Sequence, residues 1–363
     1  MKLRLDTSKA YAIALEGGGA KGAYEVGVWR ALDEAGVRFD AVAGTSVGAL
    51  NGAMMVMGEL EQALRLWENI RFSQVFDADD VQLKKLYDHK LSEVDFRTLF
   101  KDAMEAIHEG GLDIEPLRRL IAEWVDEEKI RSSPKKLFLV TYSLTDKREL
   151  DIDADELEEG KLRDMLLASA YVPLFQRKKL DGKDYVDGSV HNLVPISSLL
   201  ERGYRDIIVI RIFGVGFEKR TRIPEDANII TVAPRERLGG VLQFDAAQSR
   251  RLLQLGYFDG LRMLYGLAGE KYYIDRQWSE TEAYFALQEL CRLFIKEEIP
   301  SLRALNETIL PKLAKHLKVK DGGYYDLLTA LLERLAERQG ISPFRVRTEK
   351  MLLLEIAAKM KKK

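Results

Sequence analysis

The feature that most constrains how this chain can fold is Gly44-Thr45-Ser46-Val47-Gly48, a G-x-S-x-G set between a strand-like run and a small-residue helix. Phe39-Asp40-Ala41-Val42-Ala43 supplies the strand, and Val47 to Met55 supplies the helix. The flanking glycines allow a turn whose sterics forbid larger side chains, and such a turn holds the serine hydroxyl out from the backbone. The helix begins at the serine, so its N-terminal dipole favours negative charge developing there. Ser46 is therefore a candidate nucleophile.

A second glycine cluster lies just upstream. Tyr11-Ala12-Ile13-Ala14-Leu15 reads as a buried strand, and Glu16-Gly17-Gly18-Gly19-Ala20-Lys21-Gly22 turns from it into a helix. That helix carries an apolar stripe at Tyr24, Val28, Ala31, Leu32 and Ala35, and Gly36 ends it. Consecutive glycines at a helix N-terminus expose backbone N–H groups with no side chain over them, which is what a tetrahedral oxyanion requires. Gly17, Gly18, Gly19 and Gly22 are the candidates, with Lys21 adding positive charge. Gly17, Gly19 and Gly22 also spell G-x-G-x-x-G, and Asp40 lies near where a dinucleotide fold places its ribose-binding acid. A dinucleotide-binding reading leaves Ser46 and a downstream aspartate motif unexplained. A Walker phosphate loop is excluded because Ala23 stands where its lysine must follow the last glycine.

A serine nucleophile needs a base, usually histidine. The chain has four: His89 and His108 in charged helical stretches, His316 on a polar helix, and His191. His191 falls in Asp184-Tyr185-Val186-Asp187-Gly188-Ser189-Val190-His191-Asn192-Leu193-Val194-Pro195, where a short strand ends on Asp187 followed by glycine. An aspartate there could accept the serine proton directly.

With these residues in view the chain resembles the patatin-like phospholipases. The resemblance rests on the glycine-rich turn Gly17 to Gly22, on Gly44 to Gly48, and on Asp187-Gly188-Ser189 with Asn192 and Pro195, in that order. A weaker match is Ala168-Ser169-Ala170-Tyr171-Val172-Pro173-Leu174-Phe175, similar to the small-residue and proline segment ahead of the family's aspartate. Over about residues 8 to 268 the resemblance implies a three-layer α/β/α fold and a Ser46–Asp187 dyad without histidine. Gly44, Gly48 and Gly188 support the two motifs, and Gly17, Gly18, Gly19, Lys21 and Gly22 form the oxyanion turn. The implied activity is calcium-independent acyl ester hydrolysis of phospholipase A, lysophospholipase or carboxylesterase type, with a phospholipid or other acyl ester as substrate and no cofactor. Ser189 departs from the family's usual glycine or alanine. A lipid- or protein-binding module that keeps the fold and turns over little is the competing class, and a triad through His191 is the competing mechanism.

Asp321-Gly322-Gly323 matches the aspartate motif more literally, but no strand precedes it and no Asn-x-Pro follows, so it reads as a helix linker. Asp151, Asp153 and Asp155 look like the start of a calcium loop. Glu156 stands where that loop needs glycine and Leu162 where it needs glutamate, which leaves a solvated acidic turn. No cluster has convincing metal-ligand spacing.

At 363 residues, 46% hydrophobic and formal charge −2, the chain is globular and no general polyanion binder, so nucleic acid is not an expected partner. No apolar stretch reaches the roughly 18 residues of a membrane span, and Met1 to Asp6 lack a signal-like core, so a cytoplasmic location is expected. The single Cys291 rules out an internal disulfide and reads as a small core residue. Strand and helix signals alternate up to Gly269, predicting an α/β domain over 1–268. Residues 59 to 130, mostly helical and charged, are expected to cover the site. Beyond Gly269 strand signals stop, and an all-helical domain over 269–363 is predicted. Its last helix, from Met351, joins an apolar body to Lys359, Lys361, Lys362 and Lys363. That composition suits either peripheral contact with an anionic membrane or docking into the helical domain with a solubilising tail.

Overall fold

The computed structural model describes residues 1–77, 111–294, 301–320 and 322–361. They divide into two compact units, Leu5–Gly260 and Met1–Arg4 with Leu261–Lys363.

In the first unit the apolar runs become strands β1 (Ala10–Leu15), β2 (Arg38–Thr45), β3 (Lys136–Ser143), β4 (Arg148–Asp153), β5 (Tyr185–Asp187), β6 (Asp206–Ile210) and β7 (Asn228–Val232). They form one seven-stranded sheet in the order β4-β3-β2-β1-β6-β7, with β5 also paired to β3. The inner pairs β3–β2, β2–β1, β1–β6 and β6–β7 are parallel, while β4 and β5 run antiparallel to β3. Parallel strands buried on both faces read as near-continuous apolar sequence, as AYAIAL and DIIVI do.

Alternation along these strands decides what each face meets. Ala12, Ala14, Ala41, Ala43, Phe138, Ile207 and Val209 share a core with Leu199 and Leu200. Leu15, Val42 and Leu137 face the opposite helix, where they close around Gly52. Helices therefore lie on both faces. They are α1 (Ala23–Glu34), α2 (Val47–Met57), α3 (Leu60–Asn69), α4 (Glu115–Trp124), α5 (Glu127–Ser132), α6 (Leu162–Ser169), α7 (Ile196–Glu201) and α8 (Ala246–Tyr265). The three-layer α/β arrangement is the one the sequence predicts.

One stretch of register sets up the site. β3 gives one edge to β4; its other edge is taken by β2 as far as the pair Thr45↔Val140, and then by β5 from the pair Asp187↔Thr141. The ends of β2 and β5 therefore meet head-on along β3.

The second unit carries α9 (Glu280–Phe294), α10 (Leu310–Leu317), α11 (Tyr324–Arg338) and α12 (Glu349–Met360). Its core joins Ile274, Leu287, Cys291, Leu328, Leu332, Leu352 and Ile356, so the last helix docks through Leu352 and Ile356. The expectation that strands stop at Gly269 needs correction. β8 (Tyr273–Ile274) pairs in parallel with β9 (Val346–Arg347), each too short for a period-2 pattern to register. Asp151 and Asp153 are likewise on strand β4 and not in a turn; Asp151 Oδ1 accepts from Ser198 Oγ at 2.7 Å and Oδ2 from Arg202 Nη1 at 3.0 Å. Asp321, His89 and His108 lie outside the described residues. Among the described residues no helix is long and apolar enough to cross a membrane, and no group of acidic, histidine or cysteine side chains is placed to hold a metal ion.

Candidate active site

Ser46 occupies the single residue between β2 and α2, with φ 55° and ψ −125°. This is a costly conformation for a residue with a side chain, and it turns the hydroxyl away from the strand. Gly44 and Gly48 make so sharp a turn possible by close approach. A Cβ on Gly44 would lie 2.3 Å from the Gly48 carbonyl, and one on Gly48 would lie 2.6 Å from the Leu15 carbonyl oxygen. The Ser46 N–H is not left bare: it donates to Ser169 Oγ at 2.9 Å, and Ser169 in turn donates to the Val140 carbonyl at 2.7 Å.

Asp187 ends β5 and is buried. Ser46 Oγ donates to its Oδ2 at 2.6 Å, and its Oδ1 accepts the Ser189 N–H at 2.8 Å. Burial pushes the Asp187 carboxyl above its ordinary value, and the hydrogen bonds from Ser189 and Ser46 offset part of that rise. Gly188 follows with its Cα against the Val140 carbonyl, where any Cβ would sit 2.2 Å from the oxygen.

The glycine-rich turn Gly17 to Gly22 lies beside this pair. A Cβ on Gly17 would come within 3.4 Å of Ser46 Cβ, so the turn passes close to the serine. The five residues singled out from the sequence have different surroundings. Gly17 N–H is already given to the Leu193 carbonyl at 3.0 Å, and Ala20 N–H to Val241 at 2.8 Å. The N–H groups of Gly18 and Gly19 have no acceptor among the described residues. Gly19 adopts φ 55°, open to glycine at little cost, and its Cα abuts the Val241 carbonyl. Lys21 directs its ammonium to the Phe213 carbonyl, and Gly22 caps α1 while its own carbonyl accepts from Asn51 Nδ2 at 3.0 Å.

Two acids that sequence reasoning missed support the turn. Glu16 is fully buried; its carboxylate accepts Arg211 Nε and the N–H of Ile212, both at 2.8 Å, and the N–H of Gly214 at 2.9 Å. Glu25, also buried, accepts from Asn51 Nδ2 at 2.8 Å, and Asn51 Oδ1 accepts from Trp67 Nε1 at 3.0 Å. Burial drives the Glu25 carboxyl well above the usual carboxylate range, with the Asn51 bond acting against it.

From Ser46 and Gly19 an apolar cavity extends, walled by Leu50 and Met54 of α2, Leu66 and Trp67 of α3, Leu117 and Ile121 of α4, and by Phe76, Phe175 and Phe244. The described parts of the 59–130 region thus line the space beside the serine. His191 points elsewhere: Nδ1 is 2.6 Å from Glu149 Oε2, and the ring lies against Tyr142. His316 is exposed on α10.

Ser46 thus sits on a strand-to-helix elbow at the end of an inner strand of a largely parallel sheet, hydrogen-bonded to a buried aspartate and beside a glycine turn, in a three-layer α/β protein. The profile of the patatin-like phospholipase family matches residues 13–200, more than half of the chain. The chain belongs to that family.

Among relatives, mouse patatin-like phospholipase domain-containing protein 7 is 51% identical over 51 residues, 14% of this chain and 4% of that protein. Lysophospholipase nte1 of Aspergillus terreus is 50% identical over 46 residues, 13% of this chain and 3% of that protein. The chain thus spans only about 4% of the length of the curated relatives it matches. Among solved structures, VipD from Legionella pneumophila aligns over 97% of this chain and 87% of its own, at 13% identity and TM-score 0.44. The type III effector protein ExoU aligns over 97% and 78%, at 17% identity and TM-score 0.35.

Proposed function

We propose that this protein is a serine acyl hydrolase that cleaves fatty acyl esters of lipids through a Ser46–Asp187 dyad. The observation that carries the reading is the 2.6 Å hydrogen bond from Ser46 Oγ to the buried Asp187, made at the end of an apolar cavity.

Ser46 Oγ attacks the acyl carbonyl as its proton passes to Asp187 Oδ2. The N–H groups of Gly18 and Gly19, with that of Val47 at the start of α2, receive the negative charge that develops on the carbonyl oxygen; one such donor is typically worth about 10²–10³ in rate. Protonated Asp187 returns the proton to the departing alkoxide, leaving the acyl group on Ser46. Water then gives a proton to Asp187 and attacks the acyl-enzyme, and Asp187 re-protonates Ser46 as the fatty acid leaves. A carboxylate of ordinary pKa is a weak base at neutral pH, and raising its pKa by burial brings it closer to the efficient range. The acyl chain lies in the cavity between α2, α3 and α4, and the headgroup stays outside it. The name phospholipase in the family and the lysophospholipase among its relatives support a lipid ester as the substrate class.

Labelling with a fluorophosphonate probe, followed by peptide mapping, tests the reading. Label on the Ser46 peptide is expected, with loss of both label and ester hydrolysis in a folded Ser46→Ala protein. Full activity in that variant would overturn the Ser46 mechanism, whereas a wild-type protein that takes no label and hydrolyses no ester would favour a patatin-fold binding module.

A further inference from the structure

In the unit Leu5–Gly260, the described large apolar side chains that stand out into solvent are four: Val190, Phe213, Phe217 and Ile223. Phe213, Phe217 and Ile223 belong to one segment, the connection of residues 211–227 between β6 and β7. Val190 belongs to the turn that follows Asp187, and that turn is joined to the same segment: Phe217 N–H donates to the Ser189 carbonyl at 2.8 Å, and Leu193 N–H donates to the Phe217 carbonyl at 2.8 Å.

The backbone under these side chains is fixed. Glu16 holds the N–H groups of Ile212, Phe213 and Gly214, and the Lys21 ammonium holds the Phe213 carbonyl. Phe213 is kept at φ 47°, a left-handed conformation a phenylalanine rarely adopts, and the residue is 53% exposed. Phe217 is 59% exposed. Two aromatic side chains are thus left more than half exposed on a pinned loop, with the Arg211 guanidinium over one face of Phe213 and His191 tilted against Phe217.

Charge indicates what covers them. Arg211 and Lys219 are neutralised locally, by Glu16 and Glu218 and by Glu149. Arg220 and Arg222 are exposed and have no ion-pair partner among the described residues. Further along, Asp226 is held by Arg205, and Glu225 is an exposed acid. Exposed aromatic residues and unpaired arginines on one connection form the pattern that suits the boundary between acyl chains and anionic headgroups.

We propose that this connection is an interfacial docking surface: Phe213 and Phe217 enter the headgroup layer of an anionic phospholipid bilayer, and Arg220 and Arg222 meet its phosphates. Its purpose rests on the lipid-hydrolase reading, because the same loop is tied through Glu16 and Lys21 to the oxyanion turn and through Ser189 to the Asp187 turn. Docking would therefore set the membrane against the rim of the Ser46 site.

The test uses the full chain carrying Ser46→Ala and reads binding alone, by co-sedimentation with phosphatidylcholine vesicles with and without phosphatidylglycerol. Binding is expected on the anionic vesicles and should fall as salt is raised. Phe213→Asn with Phe217→Ser, asparagine being tolerant of positive φ, should weaken it at least about tenfold. Arg220→Gln with Arg222→Gln should weaken it by roughly 25-fold, at about fivefold for each cation near such a surface, and flatten the salt dependence. In the Ser46 background both pairs should hydrolyse a soluble aryl ester within about twofold of wild type, and melting curves by circular dichroism should match. Absence of binding to anionic vesicles, or equal binding by the folded variants, overturns the proposal. So does a parent protein that self-associates through these phenylalanines without touching vesicles. Persistent hydrolysis by Ser46→Ala would overturn the catalytic reading alone, since vesicle binding is scored without turnover.

Discussion

The hydroxyl of Ser169 accepts the backbone N–H of Ser46 at 2.9 Å and donates a hydrogen bond to the Val140 carbonyl at 2.7 Å. Ser46 lies in a backbone region that costs a non-glycine residue roughly 1–3 kcal/mol, so the surroundings must supply what the turn itself does not. Ser169 does so by pairing an N–H that the elbow would otherwise bury alone, and by tying the elbow to β3.

Ser169→Ala is accordingly expected to destabilise the protein by about 1–3 kcal/mol, the cost of a buried donor left unpaired. Because the elbow loosens while the cavity stays intact, kcat should fall at least about tenfold with KM nearly unchanged. Urea denaturation and steady-state kinetics on an aryl ester check both. A kcat equal to wild type would mean the turn holds without its brace.

The Asp187 carboxyl is raised by burial, with the Ser189 and Ser46 hydrogen bonds partly opposing, and it must be ionised to accept a proton. The acid limb of kcat/KM should therefore have its midpoint above the ordinary carboxylate value of 3.8, with the rate rising through it to a plateau. The stability sign runs the other way: a carboxyl raised by folding contributes stability below 3.8 that is lost as pH rises through the raised value. Asp187→Asn should be at least about a hundredfold slower, yet more stable than wild type at neutral pH, with the difference vanishing in acid. Rate and melting profiles across pH measure the two effects, and a variant no more stable at pH 7 would contradict the burial argument.

Glu25 is raised further, again chiefly by desolvation, while its bond from Asn51 pulls the other way. The stability it contributes is present below 4.5 and is lost as pH rises through its raised value. Glu25→Gln should thus leave melting in acid near wild type and make the protein more resistant to alkaline pH. Identical alkaline profiles would show that Glu25 does not titrate before the protein unfolds.

Leu50 lies one helical turn beyond Ser46 on the cavity wall. Leu50→Trp should shorten the space for an acyl chain, and each methylene excluded costs about 0.8 kcal/mol, or roughly fourfold. Across a series of p-nitrophenyl esters, kcat/KM should fall at least about tenfold for long chains and stay within about threefold for the acetate. A uniform loss along the series would place the acyl chain elsewhere.

His191→Ala should remain within about tenfold of wild type, since His191 Nδ1 is directed to Glu149 and a general base is worth 10²–10⁴. Loss as deep as that of Asp187→Asn in a folded protein would reinstate a histidine in the mechanism.

The parts of this arrangement that the sequence made legible are those written locally. Gly44, Ser46 and Gly48 encode their own turn, and alternating apolar strands and amphipathic helices encode the layers. The parts that were not legible depend on distant segments. Ser169 braces a residue 123 positions away, and Glu16 holds amides up to 198 positions along, so neither role leaves a local pattern. That Gly17 has spent its N–H on Leu193 is likewise a tertiary fact. β8 and β9 are two residues each, shorter than any periodicity can reveal.

The abutment of β2 and β5 along β3 makes two neighbouring residues a gauge block. Val140 measures the end of the strand that leads to Ser46, and Thr141 measures the position of Asp187. A strand advances about 3.3 Å per residue, more than the slack in a hydrogen bond of 2.6 Å. Loops elsewhere between Ser46 and Asp187 can therefore lengthen or shorten without parting the two side chains. A single residue inserted between Val140 and Thr141 would part them, even in a chain that still builds its sheet. Tolerance to insertion is thus low at a point in the strand that bears no reactive group.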